Sequence, residues 1–199
     1  MALDPLDLDR SVLVVWDMQA GIAGRAFNSV DIVPRVSELL QAYRERRLPI
    51  VYSQHTTPPE GWGNPATART MVRRGLAPGS FRLAPGVPEW EILPKLQPHP
   101  EDLVMTKYTP SFFVGTALES MLRSRNVNTL VLTGVSTEAG IVTTARHATN
   151  LGFLAIVVED AVGSMSPEGN AMGLRLIREI CDVESTASIL NRLSGTAST

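Results

Sequence analysis

The chain has 199 residues, which at about 150 residues per domain favours one compact domain over two. Hydrophobic residues make up 44% and charged residues 19%, enough apolar side chains to bury a sizeable core and the wrong balance for a disordered tail. The formal charge is −2, so no basic surplus points to a nucleic-acid or anionic-membrane partner. Cys181 is the single cysteine, which excludes an internal disulfide framework and a zinc site built from four thiolates. The opening MALDPLDLDR lacks the basic-then-apolar pattern of a signal peptide. The longest apolar runs, such as 12–16 and 153–158, fall far short of the ~20 residues a membrane helix needs. The expectation is a cytoplasmic protein. Of its 18 basic residues only Lys95 and Lys107 are lysines, so a lysine at a special position stands out.

In chain order, residues 11–18 (SVLVVWDM) predict a buried strand, because the apolar residues run on instead of alternating. Residues 30–47 predict a helix with Val33, Val36, Leu39, Leu40 and Tyr43 at helical spacing. Residues 49–54 predict a second strand, 102–107 a third, and 116–125 a second amphipathic helix. Residues 129–135 (TLVLTGV) predict a fourth strand, 137–151 a helix ending at Gly152, and 153–160 a fifth strand. Ser166, Pro167 and Glu168 carry the start signals of a further helix running to about residue 181. Residues 182–186 predict a short sixth strand and 187–193 a closing helix. Strand and helix alternate and the strands are fully apolar. The expected fold class is therefore α/β, a single-domain doubly wound sandwich over 1–199 with a six-stranded, mainly parallel sheet and helices on both faces. Residues 55–100 break the alternation. They hold nine of the 14 prolines and two of the three tryptophans, and read as a long active-site loop with at most a short helix near 90–96.

In an open parallel sheet, ligands bind beyond the carboxyl ends of the strands. Three polar features collect there: Asp17 after the first strand, Lys107 closing the third, and the turn 134–140 after the fourth. Asp17 reads either as a cap at a strand end or as a partly desolvated carboxylate able to move a proton. Lys107 reads either as a surface lysine or, on a neighbouring strand, as the partner of that carboxylate. The segment GVSTEAGIVTTARHA (134–148) is a strand, a turn and a helix. Its first N–H groups either receive a carboxylate or developing oxyanion or are simply capped by Thr137, with Glu138 in the first turn. The glycine spacing fails the G-x-S-x-G elbow, so Ser136 has no strong claim as a nucleophile. His55, His99 and His147 lack metal-ligand spacing, so no metal is expected, and no glycine-rich loop signals a nucleotide cofactor. His55 could line the crevice, whereas His147 reads as structural or exposed. Arg73, Arg74 or Arg82 could meet a second substrate carboxylate. Trp62, Trp90, Phe112 and Phe113 fit a pocket, an interface or ordinary core packing.

The segments VLVVWDMQAG (12–21), VMTKYTPSFFVGTALESML (104–122) and LTGVSTEAGIVTTARHATNLGFLAIVVEDAVGSM (132–165) resemble, in order and spacing, the isochorismatase-like hydrolases, also called the cysteine hydrolase superfamily. That family's D-M-Q and strand-end lysine fall on Asp17, Met18, Gln19 and Lys107. The resemblance also implies a cis peptide between Val135 and Ser136. Amide-hydrolysing members carry a nucleophilic cysteine in G-V-x-T-x-x-C; here that position is Gly140, and Cys181 lies in another element. In this respect the chain is similar to true isochorismatases, which have glycine there and cleave a vinyl ether without a covalent intermediate. The resemblance then implies Asp17 as acid–base, with Lys107 and Gly140 completing the catalytic set. It further implies Gln54, Ser136, Thr137 and Ala139 as substrate contacts, backbone N–H groups near Ala139 and Gly140 holding a carboxylate, and room at Gly140 for a bulkier substrate. It implies no cofactor, a small carboxylated substrate, and a homodimer or homotetramer. Ser136, Thr137 and Glu138 replace the aromatic-Ala-His run of isochorismatases, and the flanks TTARHA and VVEDA look like the amidase branch. Two alternatives therefore stand beside vinyl-ether cleavage: amide or related hydrolysis by activated water, and a non-catalytic binding protein that has lost its nucleophile.

Overall fold

The structure is a computed structural model that describes residues 6–75 and 82–195; residues 76–81 of the long loop lie outside the described part. Six strands, β1 (Ser11–Trp16), β2 (Ile50–His55), β3 (Leu103–Lys107), β4 (Thr129–Val135), β5 (Leu154–Gly163) and β6 (Asp182–Glu184), form one parallel sheet in the order β3-β2-β1-β4-β5-β6. The chain runs outward from β1 to β3, then returns beside β1 and runs the other way to β6. The direction reverses between β1 and β4, which is where ligands bind in such sheets.

Successive side chains on a strand point to opposite faces, so β1 feeds two cores at once. Leu13 and Val15 pack with Ile32, Val36, Leu39 and Tyr43 of α1 (Ser29–Glu45) and with Ile189 and Leu193 of α6 (Thr186–Leu193). Val12, Val14 and Trp16 pack on the other side. There they meet Leu118 and Leu122 of α3 (Leu118–Ser124), Ala145 and Ala148 of α4 (Val142–Asn150), and Ile177 of α5 (Pro167–Ile177). Each such Leu, Ile or Val, fully buried, contributes about 1.5–3 kcal/mol, so the two stripes hold the layers together. This is the doubly wound sandwich that the alternation predicts. Among the described residues no helix is long and apolar enough to cross a membrane.

Four local expectations change. The long loop contains a helix that the proline count hid, α2 (Pro65–Arg73). It is capped by Asn64, whose side-chain oxygen accepts from Ala66 N at 2.9 Å, with Pro65 at the first position; it buries no side chain. Near 90–96 there are instead two single 3-10 turns, Pro88–Trp90 and Pro94–Leu96. The helix expected over 137–151 opens with a wider turn, Thr137–Ile141, and becomes α-helical at Val142. The helix expected to reach about residue 181 stops at Ile177.

The long loop is tied back to the tip of β1. Leu93 N donates to Met18 O at 2.9 Å, and Gln19 forms an isolated antiparallel bridge with Ile92. The fully buried Gln19 side chain donates to Trp90 O at 2.8 Å and to His55 O at 3.1 Å, and accepts from His55 N at 2.8 Å. One amide thus joins β1, β2 and the loop, leaving none of its own polar atoms unpaired.

The backbones of β1 and β4 approach closely at Gly134, which sits at φ +106°; a Cβ there would meet Trp16 O at 2.1 Å. Left-handed strain and overlap act together at this position, so Gly134→Ala should lose about 3 kcal/mol or more, read as a fall in the urea midpoint. A midpoint matching the native chain would mean that β1 and β4 can separate freely here.

Candidate active site

Immediately after β1 the backbone turns out of the sheet. Asp17 adopts φ +43°, a left-handed conformation that is uncommon outside glycine and costs of order 1 kcal/mol or more. The turn folds the carboxylate back over the strand ends. Asp17 N donates to Ser53 Oγ at 3.0 Å, and the Ser53 hydroxyl donates to Asp17 Oδ1 at 2.5 Å. Lys107 Nζ donates to Asp17 Oδ2 at 2.6 Å. Asp17 is 5% exposed and Lys107 2%. Removing two charges from water at this depth is costly unless geometry and hydrogen bonds compensate, and here both carboxylate oxygens are bonded.

The expectation of an Asp17–Lys107 ion pair on neighbouring strands is half corrected. The pair forms, but β2 lies between β1 and β3. Lys107 reaches across β2, and Ser53 supplies the bridge. Register makes this possible: Trp16 pairs with Ser53 and His55 with Lys107, placing these four side chains on one face. Ser53 was missed by sequence reasoning. Its signal was a small polar residue between Tyr52 and Gln54, on the same strand face as His55.

Burial pulls the Lys107 pKa below its usual value, while the Asp17 charge and hydrogen bond oppose the shift. His55 is also held below its ordinary 6.5, first by burial and then by the Lys107 charge, with Asp17 opposing. The site therefore holds a buried ammonium bonded to a carboxylate, beside an imidazole that favours the neutral form.

Gly140 meets this group from the β4 side, but it does not leave room for substrate. A Cβ at 140 would lie 2.2 Å from Trp16 Nε1, 2.4 Å from Cε2 and 2.6 Å from Cζ2. The indole fills the space where a side chain at 140 would project. Trp16 is 1% exposed. It is held edge-on by Phe112 at 5.5 Å between ring centroids, with the Lys107 ammonium 4.2 Å above its own. Sequence reasoning took Trp16 for the end of an apolar strand and missed this contact, since nothing in a linear pattern pairs residue 16 with residue 140.

The turn after β4 contains the cis peptide Val135–Ser136. Its backbone donors are partly engaged. Ala139 N donates to Ser136 O at 3.3 Å and Ile141 N donates to the same oxygen at 3.2 Å, so Ala139 N–H does not wait for a carboxylate. Thr137 is not a helix cap. It is buried, with its hydroxyl 2.9 Å from Gly163 O and 2.6 Å from Asn170 Oδ1, and it fastens the turn to β5 and α5. Ser136 is half-buried at the same turn. Glu138 pairs with Arg74, just after α2, and accepts from Ser164 Oγ at 2.7 Å, so the Arg74 guanidinium is engaged within the protein. Gln54 is buried and donates to Trp90 O at 3.4 Å, a contact with the loop. His147 is bonded through Nδ1 to Ser111 Oγ at 2.7 Å. Trp62 is 82% exposed, whereas Phe112 is core. Asp17, Lys107 and Gly140 thus come together with Ser53, Trp16 and His55; Gln54, Thr137 and Ala139 act mainly as framework.

Two measurements probe this geometry. Gly140→Ala should lose about 3 kcal/mol in the native chain and clearly less in a Trp16→Leu background, because the overlap needs both side chains. Equal losses in the two backgrounds, read from urea unfolding, would deny the contact. For His55 the folded pKa is depressed, so as pH falls through about 6.5 the unfolded chain takes up a proton that the folded chain refuses. Stability should therefore decline between about pH 7 and pH 5, and His55→Gln should flatten that decline. An unchanged slope in the variant would place the loss elsewhere.

The chain is similar to known proteins over most of its length. The isochorismatase domain matches residues 11–188. An uncharacterized isochorismatase family protein of Escherichia coli O157:H7, YecD, is 31% identical over 194 residues, covering 94% of this chain and 98% of that one. The ureidoacrylate amidohydrolase RutB of Methylorubrum extorquens is 29% identical over 180 residues, covering 81% of this chain and 73% of that one. Among solved structures, a cysteine hydrolase from Pseudomonas syringae pv. phaseolicola superimposes with a TM-score of 0.83 at 25% identity, over 98% of this chain and 97% of that one. With the domain matched from β1 into α6 and the fold shared end to end, the chain belongs to the isochorismatase-like hydrolase family.

Proposed function

We propose that this hydrolase acts without a covalent intermediate on a small carboxylated molecule, and that its reaction is cleavage of a vinyl ether with Asp17 as the acid–base group. The observation that carries the reading is the pairing of two features at one place: a buried Asp17–Lys107 contact of 2.6 Å, and a Gly140 whose side-chain space is filled by Trp16. The first supplies a transferable proton. The second removes the nucleophile position used by the amide-hydrolysing branch.

The chemistry follows in three steps. The proton shared between Lys107 and Asp17 passes to the carboxyl, and Asp17 Oδ donates it to the terminal enol-ether carbon, giving an oxocarbenium ion. Water adds to the cationic carbon and returns a proton to the Asp17 carboxylate. The hemiketal hydroxyl then gives its proton to the ether oxygen as the C–O bond breaks, releasing pyruvate and an alcohol. Burial, which disfavours the Lys107 ammonium, supports release of its proton in the first step. Protonation-first cleavage also demands little of the β4 turn, where Ala139 N–H is already engaged. Acyl transfer would need donors aimed at a tetrahedral oxyanion.

A second reading, hydrolysis of an amide or ureido group by water with Asp17 as general base, draws support from the similarity to RutB. Product analysis separates the two. Isochorismate should yield pyruvate, ureidoacrylate should yield no ammonia, and Asp17→Asn should lower turnover by about a hundredfold or more while remaining folded. Ammonia without pyruvate would select the second reading. Neither product from the native chain would leave a binding protein.

A further inference from the structure

We propose that the Trp16 indole N–H is a substrate-binding group, donating a hydrogen bond to a carboxylate or ketone oxygen of the bound molecule from the position where a side chain at residue 140 would stand. This deepens the hydrolase reading above and rests on it for the location of the substrate.

The first argument is position. The edge of the indole nearest Gly140 is the Nε1–Cε2–Cζ2 edge, with Nε1 the closest atom, 2.2 Å from where a Cβ at 140 would be. The polar atom of the ring, not its hydrocarbon end, faces the space that a nucleophile at 140 would enter.

The second argument is the missing partner. A buried indole N–H normally finds an acceptor. That of Trp90 donates to Thr56 Oγ1 at 2.8 Å. Trp16 Nε1 makes no hydrogen bond to a described residue, although the residue is 1% exposed. Among the described residues the polar side-chain atoms that are both fully sealed from solvent and unpaired are Asn28 Oδ1 and Arg44 Nε. Trp16 Nε1 is therefore a buried donor with no described acceptor, at the edge of the ring that meets Gly140.

The third argument is what the donor can do. An indole N–H donates and does not accept, and it is not a nucleophile. It cannot attack a carbonyl carbon; it can only bond an oxygen. The ring is fixed by Phe112 on its edge and Lys107 over its face, so the donor is pre-oriented and the nearby ammonium favours an anionic acceptor. The exchange of a side chain at 140 for the Trp16 edge thus turns a position that could form a covalent bond into one that orients an oxygen.

The test uses the full chain labelled with 15N, whose three indole N–H signals are assigned with Trp62→Phe and Trp90→Phe, leaving Trp16 by elimination. Pyruvate is the probe, since it carries both oxygen types. On titration the Trp16 signal should shift and saturate while that of the exposed Trp62 stays still. Trp16→Phe should weaken pyruvate binding by about tenfold or more, the loss expected for one hydrogen bond to a charged acceptor. A Trp16 signal that stays in place throughout the titration, or a folded Trp16→Phe chain that binds pyruvate as well as the native one, overturns the proposal. The signal is read on the native chain, so the result does not depend on that variant folding. If isochorismate is not cleaved but the Trp16 signal moves, the vinyl-ether reading fails and this inference stands. Cleavage with an unmoved signal defeats this inference alone.

Discussion

The buried contact between Asp17 and Lys107 constrains everything around it. Two charges sealed at 5% and 2% exposure are tolerated because each oxygen of the carboxylate has a donor, Ser53 on one side and Lys107 on the other. Those donors come from β2 and β3, so the ends of three strands must be held in register for the side chains to meet. A slip of one residue in β2 would turn Ser53 and His55 to the opposite face and leave the carboxylate half-paired. The left-handed turn at Asp17 is part of the same requirement: an extended residue there would carry the carboxylate past the strand ends instead of over them.

Beside this pair the protein has placed an aromatic ring in the side-chain space of residue 140. The Trp16 and Gly140 positions are complementary in volume, and that complementarity separates the chain from both simple alternatives. An emptied nucleophile position would leave a void, which a close-packed interior does not tolerate without cost. A glycine kept to admit a larger substrate would leave a cleft. Neither is present, because β1 supplies a side chain that crosses to the β4 turn. Lys107 lies over the same ring, so the indole also forms one wall of the charged pair's enclosure and lowers its contact with water.

The long loop completes that enclosure and does so through main-chain contacts anchored by one side chain. Gln19, two residues beyond Asp17, bonds both the end of β2 and the turn at Trp90, while Leu93 bonds the backbone of Met18. Glu138, next to the β4 turn, holds Arg74 from the far side of α2. The loop is thus pinned at both flanks of the strand ends, and exclusion of water there strengthens the electrostatics of the buried pair.

Much of this was present in the linear pattern. Continuous apolar runs alternating with helical spacing specify a parallel sheet with two covered faces, because only that arrangement buries both sides of every strand. Polar residues at the ends of such runs, Asp17 and Lys107, then fall at the carboxyl ends where ligands bind. The tertiary structure decided the rest: that β2 lies between the two charges, that Ser53 bridges them, that Thr137 fastens a turn instead of capping a helix, and that Trp16 occupies the space beside Gly140. These contacts join residues far apart in the chain, and they depend on strand order, register and the handed turn at Asp17. Hydrophobic periodicity reports which face of an element is buried, but it carries no record of which distant side chain fills the space opposite.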